Sequence, residues 1–352
     1  MIDIKKYKKI YIASIYEKTG GPKTLHQLAE ILANLGVDVY MVYFKDYSEF
    51  ILKENLLYKA DGVNLSSTVI DVADNLLIVP EANVDILSEY HQITKVVWWL
   101  SLDYYLMINN LYRAKRKLYL KNISSLFFPL AFLYYKITLP KRCQLMDDDF
   151  KKIYHLYNCK YIEHYLKNKD VPLKHMHYLC GPLEEFFITL DETEVKKEKK
   201  NIVAYNCSVA KVNLKYVNKV IKHAKSLNSE IEFVPIKGMS RDKVLETLVS
   251  AKTYLDLGVF PGPERIPREA AASYCNIVAS KMGSCNNDED VPIPSKYKFD
   301  LNNINVNKIA KLLVEITLNY EKYNCDFENY RKKTKTQFYS FKNDVENAFE
   351  II

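Results

Sequence analysis

The sequence predicts an α/β protein of two Rossmann-like domains facing a cleft. Three observations carry this. The 352 residues exceed one ordinary domain and suit two. Near the N-terminus an apolar run, an amphipathic stretch and a second apolar run follow one another, with a glycine turn after the first, which is the signature of a βαβ unit. Past one strongly charged segment at 190–200 the same alternation begins again. This order assigns 1–189 to an N-terminal domain, 190–200 to a linker, 201–330 to a second domain and 331–352 to a C-terminal helix.

Taken in order, Ile10 to Ile15 reads as a buried strand and Glu17 to Pro22 as a loop that opens a helix. From Lys23 to Leu35 the residues Leu25, Leu28, Ala29, Leu32 and Leu35 recur at helical spacing, and Gly36 ends the run. Val37 to Phe44 is the next strand. Gly20 and Gly21 therefore sit between the first strand and first helix, where open α/β sheets bind ligands, although the spacing is not that of a dinucleotide fingerprint. Leu76 to Val79 forms a third strand ending at Pro80-Glu81, with a helix beginning over Val84 to Leu87, and Lys95 to Leu100 forms a fourth strand followed by Ser101-Leu102-Asp103-Tyr104. Carboxylates at the ends of parallel strands stand on the ligand rim, so Glu81 and Asp103 are the candidates to meet an acceptor hydroxyl; each could equally serve as a helix cap or turn residue.

Tyr104 to Met146 contains no Asp or Glu but eight Lys and Arg residues around the apolar run Leu126 to Tyr135, which Pro129 interrupts. Basic residues flanking an aromatic patch suit an interfacial anchor on an anionic membrane surface, here over 112–142, and suit equally a helix pair whose apolar side is core. Asp147, Asp148 and Asp149 read as a solvated turn, because no partner acid for a metal lies near them in sequence, and His175 with His177 lacks further ligand spacing.

In the second domain Ile202 to Tyr205, Ile231 to Val234, Thr253 to Leu257 and Asn276 to Ala279 read as strands. Between them lie helices over Leu214 to Leu227 and from the cap Ser240 to Ser250. The stretch Phe260 to Ala272, FPGPERIPREAAA, then turns from strand to helix. A Pro- and Gly-rich turn feeding a helix presents free N–H groups and the positive dipole end to an anion. Gly262 lets the turn come close to a ligand, Arg265 and Arg268 add fixed charge, and Glu264 and Glu269 offer acceptors for sugar hydroxyls, a set suited to a nucleoside diphosphate. Lys211, in the loop after the domain's first strand, can reach phosphates, and Lys281, Gly283 and Ser284 lie in a loop at the same edge. Helices are expected over Ile304 to Tyr320 and Asp326 to Ile351.

Composition narrows the class. Seven cysteines, an odd number without a CxxC pair, point to reduced thiols in a cytosolic protein and to no zinc framework. No signal peptide is read at the N-terminus, and no run reaches the roughly 20 apolar residues of a membrane span. The net charge of +7 is spread along the chain, which fits anionic small molecules, acidic glycans or a membrane face and does not call for nucleic acid. GxSxG, HExxH, P-loop and kinase motifs are missing from the sequence, so hydrolase, zinc protease and NTPase readings have no footing.

The segments NIVAYN (from Asn201), FVPIKGMSRDKVLETLVSAKTYLDLG, PGPERIPREAA and VPIPSKYKF, together spanning Asn201 to Phe299, resemble the C-terminal half of bacterial glycosyltransferases of capsule and cell-surface polysaccharide synthesis. More loosely they are similar to the GT-B glycosyltransferases, and WWLSLDYY resembles a segment of the same family. The resemblance implies a GT-B fold in which Glu269 holds the donor ribose and Gly20 and Gly21 face the cleft. It also implies a loop at Lys281 to Ser284 flanking base and phosphates, and a C-terminal helix that returns to the first domain. The expected activity is sugar transfer from a nucleotide-sugar donor to a glycan or lipid-linked acceptor, without cofactor or metal. Arg265, Arg268 and Lys211 would neutralise the leaving phosphate, and Asp103 or Glu81 would act as base if the reaction inverts. Phe260, where the family has His, and the loop Asn206 to Lys211 depart from the pattern and motivate the alternative, a catalytically silent homologue that binds a glycan or a partner.

Overall fold

A computed structural model describes residues 1–45 and 49–350. The chain forms two compact units, Met1–Arg113 with Lys136–Pro182 and Tyr339–Ile352, and Ala114–Tyr135 with Leu183–Phe338.

The first unit is built on a sheet of strands β1 (Lys9–Ile15), β2 (Val39–Phe44), β3 (Phe50–Ile51), β4 (Asn64–Ser66), β5 (Asn75–Pro80), β6 (Thr94–Trp99), β7 (Tyr154–Tyr157) and β8 (Met176–Tyr178). Their order is β3-β2-β1-β5-β6-β7-β8, with β4 also on β2, and every pair but β2/β3 is parallel. The central strands are buried on both faces, which explains why they read as continuous apolar runs rather than alternating ones. One face packs Leu25, Leu28 and Leu32 of the helix Gly20–Asn34 onto Ile10, Ile12 and Met41. The other packs Trp99, Tyr105, Phe150 and Ile162 together. Three-residue strands such as β4 and β8 carry too few apolar positions to be legible in sequence.

The second unit is a wholly parallel sheet of β9 (Lys200–Asn206), β10 (Glu232–Ile236), β11 (Ala251–Asp256), β12 (Asn276–Ser280) and β13 (Lys298–Phe299), ordered β10-β9-β11-β12-β13. Helices Leu214–Leu227 and Val306–Leu318 cover one face, and Arg241–Ser250 with Arg265–Ala272 cover the other. In both units the chain leaves its first strand to one side and returns on the other. The ligand crevices are therefore expected outside the C-terminal ends of β1/β5 and of β9/β11.

Several boundaries differ from the sequence reading. The chain passes between units at Pro182–Leu183, and the charged stretch 190–200 folds into a helix, Glu192–Lys197, capped by Asp191 and holding Val195 in the core. One inward-facing valine is enough to seat a helix whose other residues are solvated. Residues Ala114–Tyr135, placed by sequence in the first domain, group with the second unit. There Asn213 donates to the Tyr119 carbonyl at 2.9 Å, and the Tyr119 ring joins the second core. Asp147 to Asp149 form the first turn of the helix Asp147–Lys152, where carboxylates complement the positive end of the helix dipole. The last helix runs Glu328–Ala348, and its final turns put Phe341, Val345 and Ala348 into the first unit's core. Ile351, expected to end it, lies outside the described residues.

Candidate active site

At the crevice of the second unit the strand ends are tied together by one carboxylate. Asp256, the last residue of β11, accepts from Asn206 Nδ2 (2.9 Å) at the end of β9, from the Gly258 N–H (2.9 Å) and from the Tyr254 hydroxyl (3.0 Å). Burial raises its pKa to about 6, and Glu264 nearby pushes the same way against these hydrogen bonds. Gly258 has no room for a side chain here, since a Cβ would lie 2.8 Å from Asp256 Oδ1. The loop Ser208–Val212 is held alongside, with Val259 N–H donating to the Lys211 carbonyl at 3.1 Å.

The turn 260–264 is clamped from the next strand over. Ser284 N–H donates to the Phe260 carbonyl and Ser284 Oγ to the Gly262 carbonyl, both at 2.8 Å. Gly283 holds φ +55° and approaches so closely that a Cβ would stand 2.0 Å from the Phe260 oxygen. Ser284 is fully buried, so it and Gly283 shape the turn and their contacts are to backbone. Phe260 is also core, 1% exposed. Lys281 stands at the same edge with an exposed side chain, its N–H bonded to Phe299 O at 2.7 Å.

The cations the sequence assigns to phosphate are engaged by carboxylates in this arrangement. Lys211 pairs with Glu264. Arg265, in the first turn of the helix Arg265–Ala272, pairs with Glu184 and lies 3.4 Å from Glu269 Oε1. Arg241 bridges the same two acids, forked onto Glu184 at 3.0 and 3.2 Å and bonded to Glu269 Oε1. Glu269 is fully buried, and its other oxygen, Oε2, has no hydrogen-bond partner among the described residues. A carboxylate oxygen left unsatisfied out of water is costly. Arg268 differs from the sequence expectation. It sits one residue before Glu269 and so points off another side of the helix, where it is 5% exposed and donates to Gln337 at 3.4 Å. Glu184 and Arg241 were missed: Glu184 lies outside the segments singled out in the sequence, Arg241 lies in one of them without being distinguished there, and each reaches the site only through the fold.

At the crevice of the first unit Gly20 and Gly21 form the first turn of the helix Gly20–Asn34, with Thr19 at the N-cap position, rather than the loop before it. A Cβ on Gly21 would make an ordinary 3.5 Å contact with Leu100, so close packing does not demand glycine there. Glu81 is 2% exposed, and its Oε2 accepts from Leu100 N–H at 2.8 Å. Asn158 Nδ2 donates to Leu100 O at 3.1 Å from the β7 side, so the end of β6 is gripped from both neighbours. Burial raises the Glu81 pKa to about 8, which favours its protonated form at neutral pH. Asp103, 6% exposed, accepts from the Tyr112 hydroxyl at 3.0 Å. Ser101 Oγ and Asn158 Oδ1 are buried polar atoms with no hydrogen-bond partner among the described residues.

Among the described residues no group of three His, Cys, Asp or Glu side chains is placed to hold a metal ion. The seven cysteines are free thiols. No helix among the described residues is long and apolar enough to cross a membrane.

No family model and no curated protein sequence matches the chain. Solved structures do. Sucrose-phosphate synthase from Thermosynechococcus elongatus superposes with a TM-score of 0.61 at 11% identity, over 97% of this chain and 98% of that one. HepE from Anabaena, in complex with UDP and glucose, gives 0.60 at 8% over 98% and 100%. A glycosyltransferase from Rickettsia africae gives 0.59 at 9% over 98% and 97%. Identities this low speak for architecture alone, and the architecture is that of the GT-B glycosyltransferases, made of two Rossmann-like units.

Proposed function

We propose that the chain is a glycosyltransferase that moves a sugar from a nucleotide-sugar donor to a surface glycan or lipid-linked acceptor. The observation that carries this reading is Glu269. Its Oε1 is held by Arg265 and Arg241 while its buried Oε2 has no hydrogen-bond partner among the described residues, on the helix that follows β11, in a chain whose structural neighbours include one solved with UDP-glucose. Glu269 Oε2 would accept a ribose hydroxyl. Lys211 and Arg265 would exchange Glu264 and Glu184 for the diphosphate as the bond from the sugar's anomeric carbon to the phosphate oxygen breaks. Arg268 acts as a positioning residue by fixing the helix that carries Glu269. In the first unit Asp103 would take the proton of the acceptor hydroxyl if the reaction inverts, with Glu81 holding the strand ends that present it.

Thermal unfolding with a panel of nucleotides and nucleotide sugars, followed by product analysis, tests this. A cognate donor raises the melting temperature by mass action and yields a glycosylated acceptor, and Glu269→Ala abolishes the shift while leaving the unliganded fold intact. A chain that no nucleotide stabilises, or that binds one without ever releasing the nucleotide product, is not a glycosyltransferase.

A further inference from the structure

From Lys121 to Arg142 no residue is buried. The centre of this segment is the helix Phe128–Thr138, whose side chains are largely apolar and whose one charge is Lys136. Leu130, Leu133, Tyr134 and Ile137 recur at the spacing of a single helical stripe, and this stripe faces outward, at 66%, 51%, 60% and 72% exposure. Leu126 and Phe127 in the preceding turn extend the patch at 87% and 53%. An apolar stripe turned to water over three helical turns marks a surface that something else covers.

The charges around it identify the occupant. No Asp or Glu occurs from Tyr104 to Met146. Of the basic residues in that span, Arg113 donates to Met107 O, Arg142 is forked onto Asp85 and Arg116 is buried, so these serve the fold. Lys115, Lys121, Lys136 and Lys141 are exposed; Lys115 lies 5.8 Å from the Phe128 ring, Lys136 is on the helix itself, and Lys121 and Lys141 flank it in sequence. We propose that this surface docks on an anionic lipid bilayer, the stripe lying in the headgroup boundary and the four lysines meeting lipid phosphates. The 11-residue helix is only about 16 Å long, so it lies in the plane of the interface rather than spanning it. A second copy of the chain is the poorer occupant, because it would bring two lysine rims together. The docking does not depend on the chain transferring sugar.

Trp98 and Trp99 are fully buried in the first unit, so a Phe127→Trp variant supplies one fluorophore that reports on the patch. Its emission shifts to the blue with phosphatidylglycerol–phosphatidylcholine vesicles and not with phosphatidylcholine alone, and the parent protein sediments with the former. Joint Lys121→Glu, Lys136→Glu and Lys141→Glu exchange, with circular dichroism unchanged, weakens sedimentation by at least about tenfold. A parent that sediments with neither vesicle overturns the proposal. So does binding that the charge exchange leaves intact, or concentration-dependent self-association that Leu130→Ser abolishes.

Discussion

Glu81 shows how a parallel sheet sets the charge state of a single side chain. Its carboxyl is out of water, and the Leu100 N–H it accepts only partly offsets the cost of ionising it, so its pKa stands at about 8 against an ordinary 4.5. The folded protein thus keeps a proton that the unfolded chain has released. Stability falls as pH rises from about 4.5 to 8, by up to about 1.4 kcal/mol per unit, and this contribution levels off above 8. Glu81→Gln keeps an acceptor for Leu100 and removes the titration. The variant's stability relative to the parent therefore climbs through that window and is flat beyond it. Urea unfolding across the pH range measures the difference directly, and parallel curves would mean that Glu81 is already ionised in the native state. Asp256 titrates near 6 and adds a decline of the same sign, which cancels in this comparison.

The helix Arg265–Ala272 carries the candidate donor site, and two acids sharing two arginines set its resting state. Arg265 and Arg241 are each held by Glu184 and Glu269 together. With Glu184 neutral, both guanidiniums would compete for Glu269 alone, and Arg265 would be freer to take an anion. Glu184→Gln is therefore expected to cost about 1–3 kcal/mol of stability and to tighten nucleotide diphosphate binding severalfold. Calorimetric titration beside chemical unfolding separates the two effects; weaker binding in this variant would show that Glu184 itself contacts the ligand. The turn ahead of the helix depends on Gly283, whose positive φ and contact with Phe260 O allow no side chain, so the loop and the turn hold their places as one piece.

On the scale of the whole chain, the C-terminal helix belongs to both units. Its first turns bring Tyr330 and Gln337 to the second, and Phe341, Val345 and Ala348 complete the core of the first, where Ile2 N–H also bonds Ala348 O at 2.9 Å. Phe341, Val345 and Phe349 are each at most 3% exposed, and burying such side chains contributes about 1.5–3 kcal/mol apiece. Truncation after Phe338 should lower the stability of the first unit by several kcal/mol while the second unfolds near its original temperature. Scanning calorimetry reads this as one transition displaced and one retained; two transitions moving together would show that the units unfold as one.

The central strands, the helices between them and the turn at Phe260 to Ala272 were legible in the sequence, because a strand buried on both faces writes a continuous apolar run into the chain and a helix buried on one face writes a helical period. Carboxylates near strand ends could be located by the same logic: Glu81 directly follows β5, Asp103 lies in the first turn of the short helix after β6, and Glu264 sits at the N-cap of the helix Arg265–Ala272, inside which Glu269 lies. Their partners could not be read. Glu184 meets Arg241 across 57 positions and Arg265 across 81, and Asn206 reaches Asp256 across 50. The register of parallel strands fixes those distances, and no local periodicity encodes it. Whether Arg268 faces an anion or Gln337, and whether the 121–142 run is core or surface, likewise depends on packing between distant segments. Local pattern dictates which elements form; only the folded chain determines which charges remain unspent.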